Sequence, residues 1–589
     1  MNRYLAFIVM TAAGGLAACQ SGDINIDPAT TDSSNSSVNG QCTSNCTVGS
    51  SGGGANALCA TYTQDGTTYQ GVYDGTNCVY RTDFINNTRH LKVDMTIPAL
   101  PSGGAHIFYG SLFVGETYRT QAELAAAGIT QGGDGPTLTI EPGATIAFAT
   151  KAQFLVINRG SQIIAVGEPD NPITFTSLSD VSGKLPDPEA VQQWGGIVLN
   201  GFGITNKCVY DGTVTYNADG TVATDTIALQ AGQECSVDAE GSAGLDESQY
   251  GGDNNDDSTG DIEYVVVKHT GAEVANGDEL NGVSWGAVGR GTIVDHIQMY
   301  SVYDDGMEFF GGAVNINHYA SVYARDDSID IDEGYSGTIN DALVIQSATD
   351  GNNCIEADGI GDFGNLDPTR VEEIIAQGIN SRPHINHLTC IISANGAATA
   401  THDPGAGWRL REGLFPTITN SLLIMSFEPN DTTTDGDNYC VRIDDRVQQA
   451  AVEGDAVIKN VIFACQEPTN TNPPAAYAFD GTTTTVSFLT ASGNQLATVP
   501  FGTALNPTPV ADPGLQLLEG SGTGTSAEPP IYSIDWATSL VDNAAPLATT
   551  DPTPDTYLGA LSLGAEDWTA GWTYGIHPGN LGEKPWFQP

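Results

Sequence analysis

Carboxylates recur at a fixed interval in the middle of the chain. Residues 301–337, SVYDDGMEFFGGAVNINHYASVYARDDSIDIDEGYSG, contain an Asp-Asp pair followed by a further acid twice, 22 residues apart. Carboxylates at close quarters repel one another unless a proton or a cation intervenes, and Ca²⁺ takes about 6 to 8 oxygen ligands. The residues that would hold such a cation are Asp326, Asp327, Asp330, Asp332 and Glu356. The alternative is a solvated face on which water separates the like charges.

Charged and apolar residues alternate in five short segments that follow the same order along the chain. They read MEF from 307, IDID from 329, IEAD from 355, WRLR from 408 and VRID from 441. In a strand, this alternation puts the charged side chains on one face. Stacked segments would form a charge ladder that runs from the acidic Glu308 to the basic Arg409, Arg411 and Arg442. An exposed ion pair at the junction would contribute at most about 1 kcal/mol.

A second set of oxygen ligands lies in the segment DNNDDSTGD, residues 253–261. Asp253, Asn255, Asp257 and Asp261 alternate as the ligands of calcium loops do. The segment lacks the glycine at the sixth position and the glutamate at the twelfth position of an EF-hand. A solvated loop is therefore equally compatible with it.

Three histidines share one recurring position in the chain: His296, His318 and His387. Asp341, Asn420 and Asn460 occupy the same position in other copies of the pattern. Since sequential stacking does not make a tetrahedral metal site, we expect these side chains to form hydrogen bonds in stacked turns.

The elements that must position these residues are short strands. The tetrapeptides VDHI, INHY, INDA, INHL, ITNS and IKNV begin at residues 294, 316, 339, 385, 418 and 458, with spacings of 22, 23, 46, 33 and 40 residues. Repeats of about this length mark solenoids, and 70 Gly with 29 Pro favour turns over long helices. We predict an all-β fold, a parallel β-helix whose later coils carry inserted loops and whose coils stack at about 4.8 Å.

The segments WGGIVLNG, YGGDNNDDSTGDIEYVVVKHTG, DDGMEFFGGAVNINH and YLGALSLGAEDWTAGWTYG resemble a family of bacterial β-helix surface lipoproteins. The resemblance covers residues 136–586. It implies the right-handed, single-stranded, pectin-lyase-like β-helix and a place near TonB-dependent receptors, without implying a reaction. Pectate-lyase-like enzymes combine stacked carboxylates, Ca²⁺ and an arginine. The Gly-His-Gly element of the related hydrolases is absent here, so we assign no catalytic residue.

The N-terminus predicts export and lipid attachment. A basic start and a short apolar run end in Leu-Ala-Ala-Cys, which resembles the lipobox of bacterial lipoproteins, with Cys19 as the acylated residue and Gln20 favouring the outer membrane. We therefore expect a signal peptide over 1–18, a polar tether over 19–58, a small cap over 59–100 and the β-helix over 101–589. Two insertions are expected in the β-helix, a hairpin over 208–235 and a helix near 368–380.

Ten of the 11 cysteines remain once Cys19 is set aside, and an exported chain is expected to pair them. Sequence proximity favours five pairs, with other pairings open: Cys42 with Cys46, Cys59 with Cys78, Cys208 with Cys235, Cys354 with Cys390, and Cys440 with Cys465.

The formal charge of −51 disfavours binding to nucleic acid. Together these features predict a lipid-anchored protein of the outer membrane that acts as a binding or accessory module. Its expected partners are the membrane lipid, a TonB-dependent receptor or a glycan. The alternative is a Ca²⁺-dependent polysaccharide lyase or glycoside hydrolase on the same fold, since fold does not decide function.

Overall fold

The computed structural model describes residues 56–577, except 218–219, 241–247, 276–277, 348–350, 393–405, 426–439, 465–482, 493, 498–515, 518–531, 536–556 and 562–566. The expected signal peptide, Cys19, Cys42, Cys46, Cys465 and nearly all of the tether lie outside the described residues.

The chain forms a parallel β-helix with three faces, which we call A, B and C, and each coil passes through B, then C, then A. Face A is a sheet of nine strands in which each pairs in parallel with the strand of the next coil. Its strands are Leu112–Val114, Leu155–Ile157, Ile197–Asn200, Val283–Gly286, Met307–Phe310, Ile329–Asp332, Asn353–Asp358, Ala406–Arg411 and Val441–Ile443. The predicted fold class is confirmed.

Faces B and C are joined, because five long strands bend from one face to the other. These strands are Gly260–Lys268, Ile293–Val302, Ile316–Ala324, Thr338–Ile345 and His384–Ile392. Face B also contains Met95–Ile97, Thr137–Ile140, Gln162–Val166, Thr417–Thr419 and Val457–Lys459. Face C also contains Cys78–Tyr80, Ala105–Phe108, Thr145–Phe148, Ile173–Ser177, Leu422–Met425, Ile462–Ala464 and Gln495–Ala497.

One residue in each bend adopts the left-handed backbone conformation, and these residues stack into a column. Asn, Asp and His are the side chains most often found in that conformation after Gly, which explains the recurring polar position in the sequence. The column consists of Tyr264, His296, His318, Asp341, His387, Asn420 and Asn460, with φ between 50° and 59°. The strand register joins Asn317 to Asn340 and Asn340 to Asn386, so every spacing from 22 to 46 residues is a single coil.

Amide side chains connect the coils beside this column. The Asn340 amide donates to Asn317 Oδ1 over 3.1 Å, and the Asn460 amide donates to Asn420 Oδ1 over the same distance. The Asn420 amide donates to Asn386 Oδ1 over 2.9 Å. The hydrogen bonds expected of the stacked turns are therefore present at Asn420 and Asn460.

The core fills the space between the faces with inward-pointing apolar side chains. On face A, Val283, Met307, Ile329 and Ile355 lie directly above one another, and each is at most 1 % exposed. Burying one such side chain contributes about 1.5–3 kcal/mol. The alternation that buries these residues forces the charged residues between them onto the outer side of face A.

The outer side of face C is apolar and is covered by the C-terminal strap, which we define as residues 557–561 and 567–577. Leu558, Leu561 and Ile576 of the strap pack with Val322 and Ile345 of face C. Trp568 donates its indole N–H to Ala560 O over 2.7 Å, and Gln298 exchanges two hydrogen bonds with the Tyr574 backbone. The strap, which contains the C-terminal motif YLGALSLGAEDWTAGWTYG, therefore covers the outer side of face C.

The expected N-terminal cap is continuous with the first coils rather than separate from them. Strands Cys78–Tyr80 and Met95–Ile97 pair in parallel with Ala105–Phe108 and Thr137–Ile140. The antiparallel strands Thr61–Gln64 and Thr67–Gln70 form a hairpin before them. No domain boundary lies at residue 100. Strands before that residue form backbone hydrogen bonds with strands after it and so cover the open edge of the first coil.

The two expected insertions are present. Strands Val214–Tyr216 and Val222–Asp225 form the hairpin, and a helix runs from Pro368 to Gln377, where Gly378 ends it at φ 74°. The hairpin and the helix pack against each other: Tyr216 donates its hydroxyl hydrogen to Gly378 O over 2.9 Å. Their apolar surfaces are thereby buried within the chain.

The remaining elements are short. Further helices, which the sequence did not predict, are Gln121–Ala127, Leu178–Val181, Asp445–Glu453 and Thr485–Leu489, with 3₁₀ turns at Asn56–Leu58, Pro101–Gly103 and Phe363–Asn365. Val72–Tyr73 pairs antiparallel with Cys78–Tyr80 of face C. Short strands outside the three faces are Tyr210–Asp211, Ala228–Leu229, Val237–Asp238, Gln249–Tyr250, Glu273–Ala275, Asp278–Glu279, Gln516–Leu517, Tyr532–Asp535 and Tyr557–Leu558.

Three of the five expected disulfides lie wholly within the described residues and are confirmed: Cys59–Cys78, Cys208–Cys235 and Cys354–Cys390. Cys208–Cys235 closes the hairpin insertion, and Cys354–Cys390 joins face A to face C across the core. Cys440 is also disulfide-bonded, and its expected partner lies outside the described residues.

The left-handed column predicts that side-chain shape at Asp341 controls stability. Asp341→Val should lower the free energy of unfolding by about 1–2 kcal/mol, because a β-branched residue resists this backbone conformation. Asp341→Asn should change it much less, since Asn occupies the column in other coils. Chemical denaturation of both variants checks this, and equal losses would contradict it.

Candidate functional site

The outward side of face A carries the charge ladder expected from the sequence. The register places Glu308 beside Asp330, Asp330 beside Glu356, and Glu356 beside Arg409. Arg409 in turn lies beside Arg442. The order of charge along the helix axis is therefore acidic and then basic, as the alternating segments predicted.

The acidic end of the ladder is largely shielded from water. Asp327 is 4 % exposed, and Glu308 is 8 % exposed. The paired strands Val237–Asp238 and Gln249–Tyr250 lie near this end, and the Tyr250 ring packs so closely that a Cβ on Gly286 would lie 2.8 Å from it. A solvated face, the alternative expected from the sequence, does not describe these residues.

The second Asp of each Asp-Asp pair belongs to a hydrogen-bonded column between faces C and A. Asp305 Oδ1 accepts from Asp327 N over 2.9 Å, and Asp327 Oδ1 accepts from Asn353 N over 2.6 Å. Asn281 Oδ1 accepts from Asp305 N over 3.2 Å in the coil before. Asp305 and Asp327 thus each bind the backbone of the next coil, which accounts for two of the six repeated carboxylates by architecture alone.

The remaining carboxylates converge with this column into what we call the acidic cluster: Asp304, Asp305, Glu308, Asp326 and Asp330. Ligand oxygens of Asp304, Asp305 and Asp326 all lie within 4.8 Å of one another, and so do those of Asp305, Glu308 and Asp330. Burial and the neighbouring carboxylates raise the pKa of Asp305, Glu308 and Asp330 well above the usual range. Protons or a cation must therefore offset the repulsion in the folded state.

Asn281 and Glu240 complete the buried end of the acidic cluster. The Asn281 amide donates to Glu308 over 2.7 Å and to Glu240 over 3.0 Å. Glu240 also shares a hydrogen bond with Glu308, which requires a proton between the two carboxyl groups. Sequence analysis did not find Glu240, because it comes from the covering segment rather than from the repeat.

Three residues expected to bind the cation are engaged elsewhere. Asp327 accepts the Asn353 backbone N–H, Asp332 accepts the Glu333 backbone N–H, and Glu356 forms an ion pair with Arg409. Asp326 and Asp330 belong to the acidic cluster. The structure adds Asp304, Asp305 and Glu308, whose signal was the first copy of the same sequence repeat.

The arginines of the ladder are all paired with carboxylates. Arg409 lies 3.3 Å from Glu356, and Arg411 lies 2.6 Å from Asp358 and also contacts Glu356. Arg442 lies 2.5 Å from Asp444. These contacts make the basic end of the ladder an ion-pair network rather than a set of free cationic groups.

The second candidate set of oxygen ligands is dispersed. Asp253 accepts from Leu229 N, Asn255 accepts from Ile204 N over 2.8 Å, and Asp257 accepts from Gly132 N over 2.7 Å. Asp261 lies in a strand of face B, where burial raises its pKa. Asp253, Asn255 and Asp257 therefore hold loops against the β-helix through hydrogen bonds. Among the described residues, the four side chains do not converge on one point.

A cavity of about 430 Å³ lies between the hairpin insertion, the Pro368–Gln377 helix and face B. Its lining includes Tyr216, Arg382 and Phe415, and the Arg382 guanidinium lies 4.6 Å from the centre of each aromatic ring. The cavity is separate from the acidic cluster and presents a fixed positive charge in a strongly acidic protein.

No helix in the described part of the chain is long and apolar enough to span a membrane. Searches of curated proteins and of solved structures find no match to this chain. A family model described as a pectate-lyase-like beta helix domain matches residues 114–503, well over half of the chain. The three-faced coil and its stacked register agree with that match, and the chain belongs to the family of pectate-lyase-like beta helix domains.

Proposed function

We propose that this protein is a lipid-anchored binding or accessory module of the outer membrane, and that its acidic cluster holds Ca²⁺. The observation that carries the proposal is the convergence of five carboxylates at the edge of face A, in two groups of three that share Asp305. The proposed location at the membrane rests on the export signal and on the lipobox at Cys19.

The donor set fits a hard cation. All ligands are carboxylate oxygens from neighbouring coils, which suits Ca²⁺ and gives no reason to expect a thiolate-seeking metal. Asp304 and Asp326 are only partly buried, so a cation would enter the acidic cluster from solvent on their side. Oxygen atoms of a bound partner, such as glycan hydroxyl or carboxylate groups, could complete its coordination there.

A polysaccharide-acting enzyme is the second candidate, because the family is named for a lyase and the fold commonly hosts such activity. The ion pairs of Arg409, Arg411 and Arg442 weigh against it, since a base or an electrostatic catalyst must be free to meet the substrate. Ca²⁺-dependent release of unsaturated sugars from an acidic polysaccharide would favour the enzyme over the binding module.

Membrane attachment is tested by Cys19→Ala in the full-length precursor. The variant should move from the membrane fraction to the soluble fraction, because the acyl chains would have no attachment point. Gln20→Asp should stay membrane-bound but leave the outer membrane for the inner one. Unchanged outer-membrane recovery of Cys19→Ala would refute the lipid anchor.

Cation binding is tested by unfolding the protein in Ca²⁺ and in chelator, with NaCl at matched ionic strength. At about 100 times its dissociation constant, Ca²⁺ should raise the free energy of unfolding by about 2.7 kcal/mol. Asp305→Asn should reduce this gain. Asn already occupies the same column at Asn281 and Asn353, so the variant keeps the ladder hydrogen bond and removes one charge.

The matched control is Asp256→Asn, which removes a carboxylate that is 78 % exposed and lies outside the acidic cluster. Its Ca²⁺ gain should equal that of the unmodified protein. Equal unfolding in Ca²⁺ and NaCl would show that the acidic cluster binds no Ca²⁺, and equal gains in both variants would show that Ca²⁺ binds outside it.

A further inference from the structure

Three potential metal ligands from two adjacent coils converge at the bend between faces B and C. Asp295 Oδ1 lies 2.8 Å from Nδ1 of His296 and 2.6 Å from Nδ1 of His318. The three ligand atoms all lie within 4.8 Å of one another. The Nδ1 atoms of both imidazoles therefore lie close to one carboxylate oxygen, and the His318 contact is a hydrogen bond.

The backbone holds both imidazoles in place. His296 and His318 occupy the left-handed column in successive coils, with φ of 56° and 52°. Their rings stack with centres 4.2 Å apart and planes 22° apart. Asp295 precedes His296 in the same strand and pairs with Asn317, the residue before His318. The spacing of these ligands is thus set by the coil stacking.

Aromatic side chains enclose the two histidines. The Tyr264 ring stacks on the other side of His296 with centres 4.3 Å apart. Trp572 and Trp568 of the C-terminal strap lie 5.7 Å from His296 and 5.3 Å from His318, respectively. Trp572 is 3 % exposed, whereas the His318 side chain is 29 % exposed. Aromatic rings therefore pack against the histidine pair on one side, and His318 is open to solvent on the other.

We propose that Asp295, His296 and His318 form a binding site for a divalent transition-metal ion, with Zn²⁺ as the representative ion. Two imidazoles and one carboxylate suit Zn²⁺, Co²⁺ and Ni²⁺ and do not suit Ca²⁺. Three protein ligands leave the fourth tetrahedral position for water or an external ligand. Zinc bonds of about 2.0–2.1 Å separate tetrahedral ligands by about 3.3 Å, so the Asp295 oxygen must move slightly away from both Nδ1 atoms and the two stacked rings must rotate toward the ion.

The stacked histidines alone did not predict this site. His387 shares their column but is separated from His318 by the coil that carries Asp341. The third ligand is a carboxylate from the neighbouring column, and the cover comes from a strap far away in the sequence. Both are brought to the histidines only by folding.

The test is Zn²⁺ titration of the purified full-length protein by calorimetry, after treatment with chelator and in excess Ca²⁺ to saturate the acidic cluster. The unmodified protein should bind one Zn²⁺ per chain at this site. His296→Asn and His318→Asn should each weaken that binding by at least about tenfold. Both variants should fold, because Asn occupies the same column at Asn420 and Asn460.

The matched control is His387→Asn, which makes the same change in the same column and should leave Zn²⁺ binding unchanged. Asp305→Asn should also leave it unchanged, which separates this site from the acidic cluster. Co²⁺ should quench the fluorescence of Trp568 and Trp572 in the unmodified protein and in His387→Asn, but less in His318→Asn. Absence of stoichiometric Zn²⁺ binding, or equal binding in all four variants, would overturn the proposal.

Discussion

Every coil of this protein must stack on its neighbour in register, and from Tyr264 to Asn460 one left-handed residue stands at each bend between faces B and C. A β-helix satisfies its backbone hydrogen bonds between coils, so each residue lies beside its counterpart about 4.8 Å away. A repeated side chain therefore becomes a column. The same constraint aligns the apolar core, the amide ladder beside the bend, the carboxylates of face A and the two stacked histidines.

Columns of like charge are costly, and this chain reduces the cost in two different ways. Asp305 and Asp327 accept backbone N–H groups from the next coil, which delocalises their charge. Glu356 and Asp358 meet Arg409 and Arg411. The acidic cluster has neither solution in full, and burial raises the pKa of its members. It is therefore the part of the ladder where an external cation would stabilise the fold most.

The segments outside the coils determine which parts of each column are open to solvent. Tyr250 packs against face A near the acidic cluster, and the C-terminal strap places Trp568 and Trp572 over the histidines. The hairpin and helix insertions instead pack on each other and enclose the cavity that contains Arg382. Repetition supplies the columns of polar side chains in this protein, and the segments outside the coils give each column its own surroundings.

The sequence alone determined the features that depend on neighbours within one coil or on exact repetition. The β-helix, the polar column, the order of the charge ladder, the Pro368–Gln377 helix and three disulfides all follow from local pattern or spacing. Only the tertiary structure decided which carboxylates converge and that Glu356 forms an ion pair with Arg409. It also decided that Asp295 lies beside His296 and His318, next to the strap. Those outcomes depend on side-chain directions and on contacts between segments far apart in the chain, and periodicity carries no information about either.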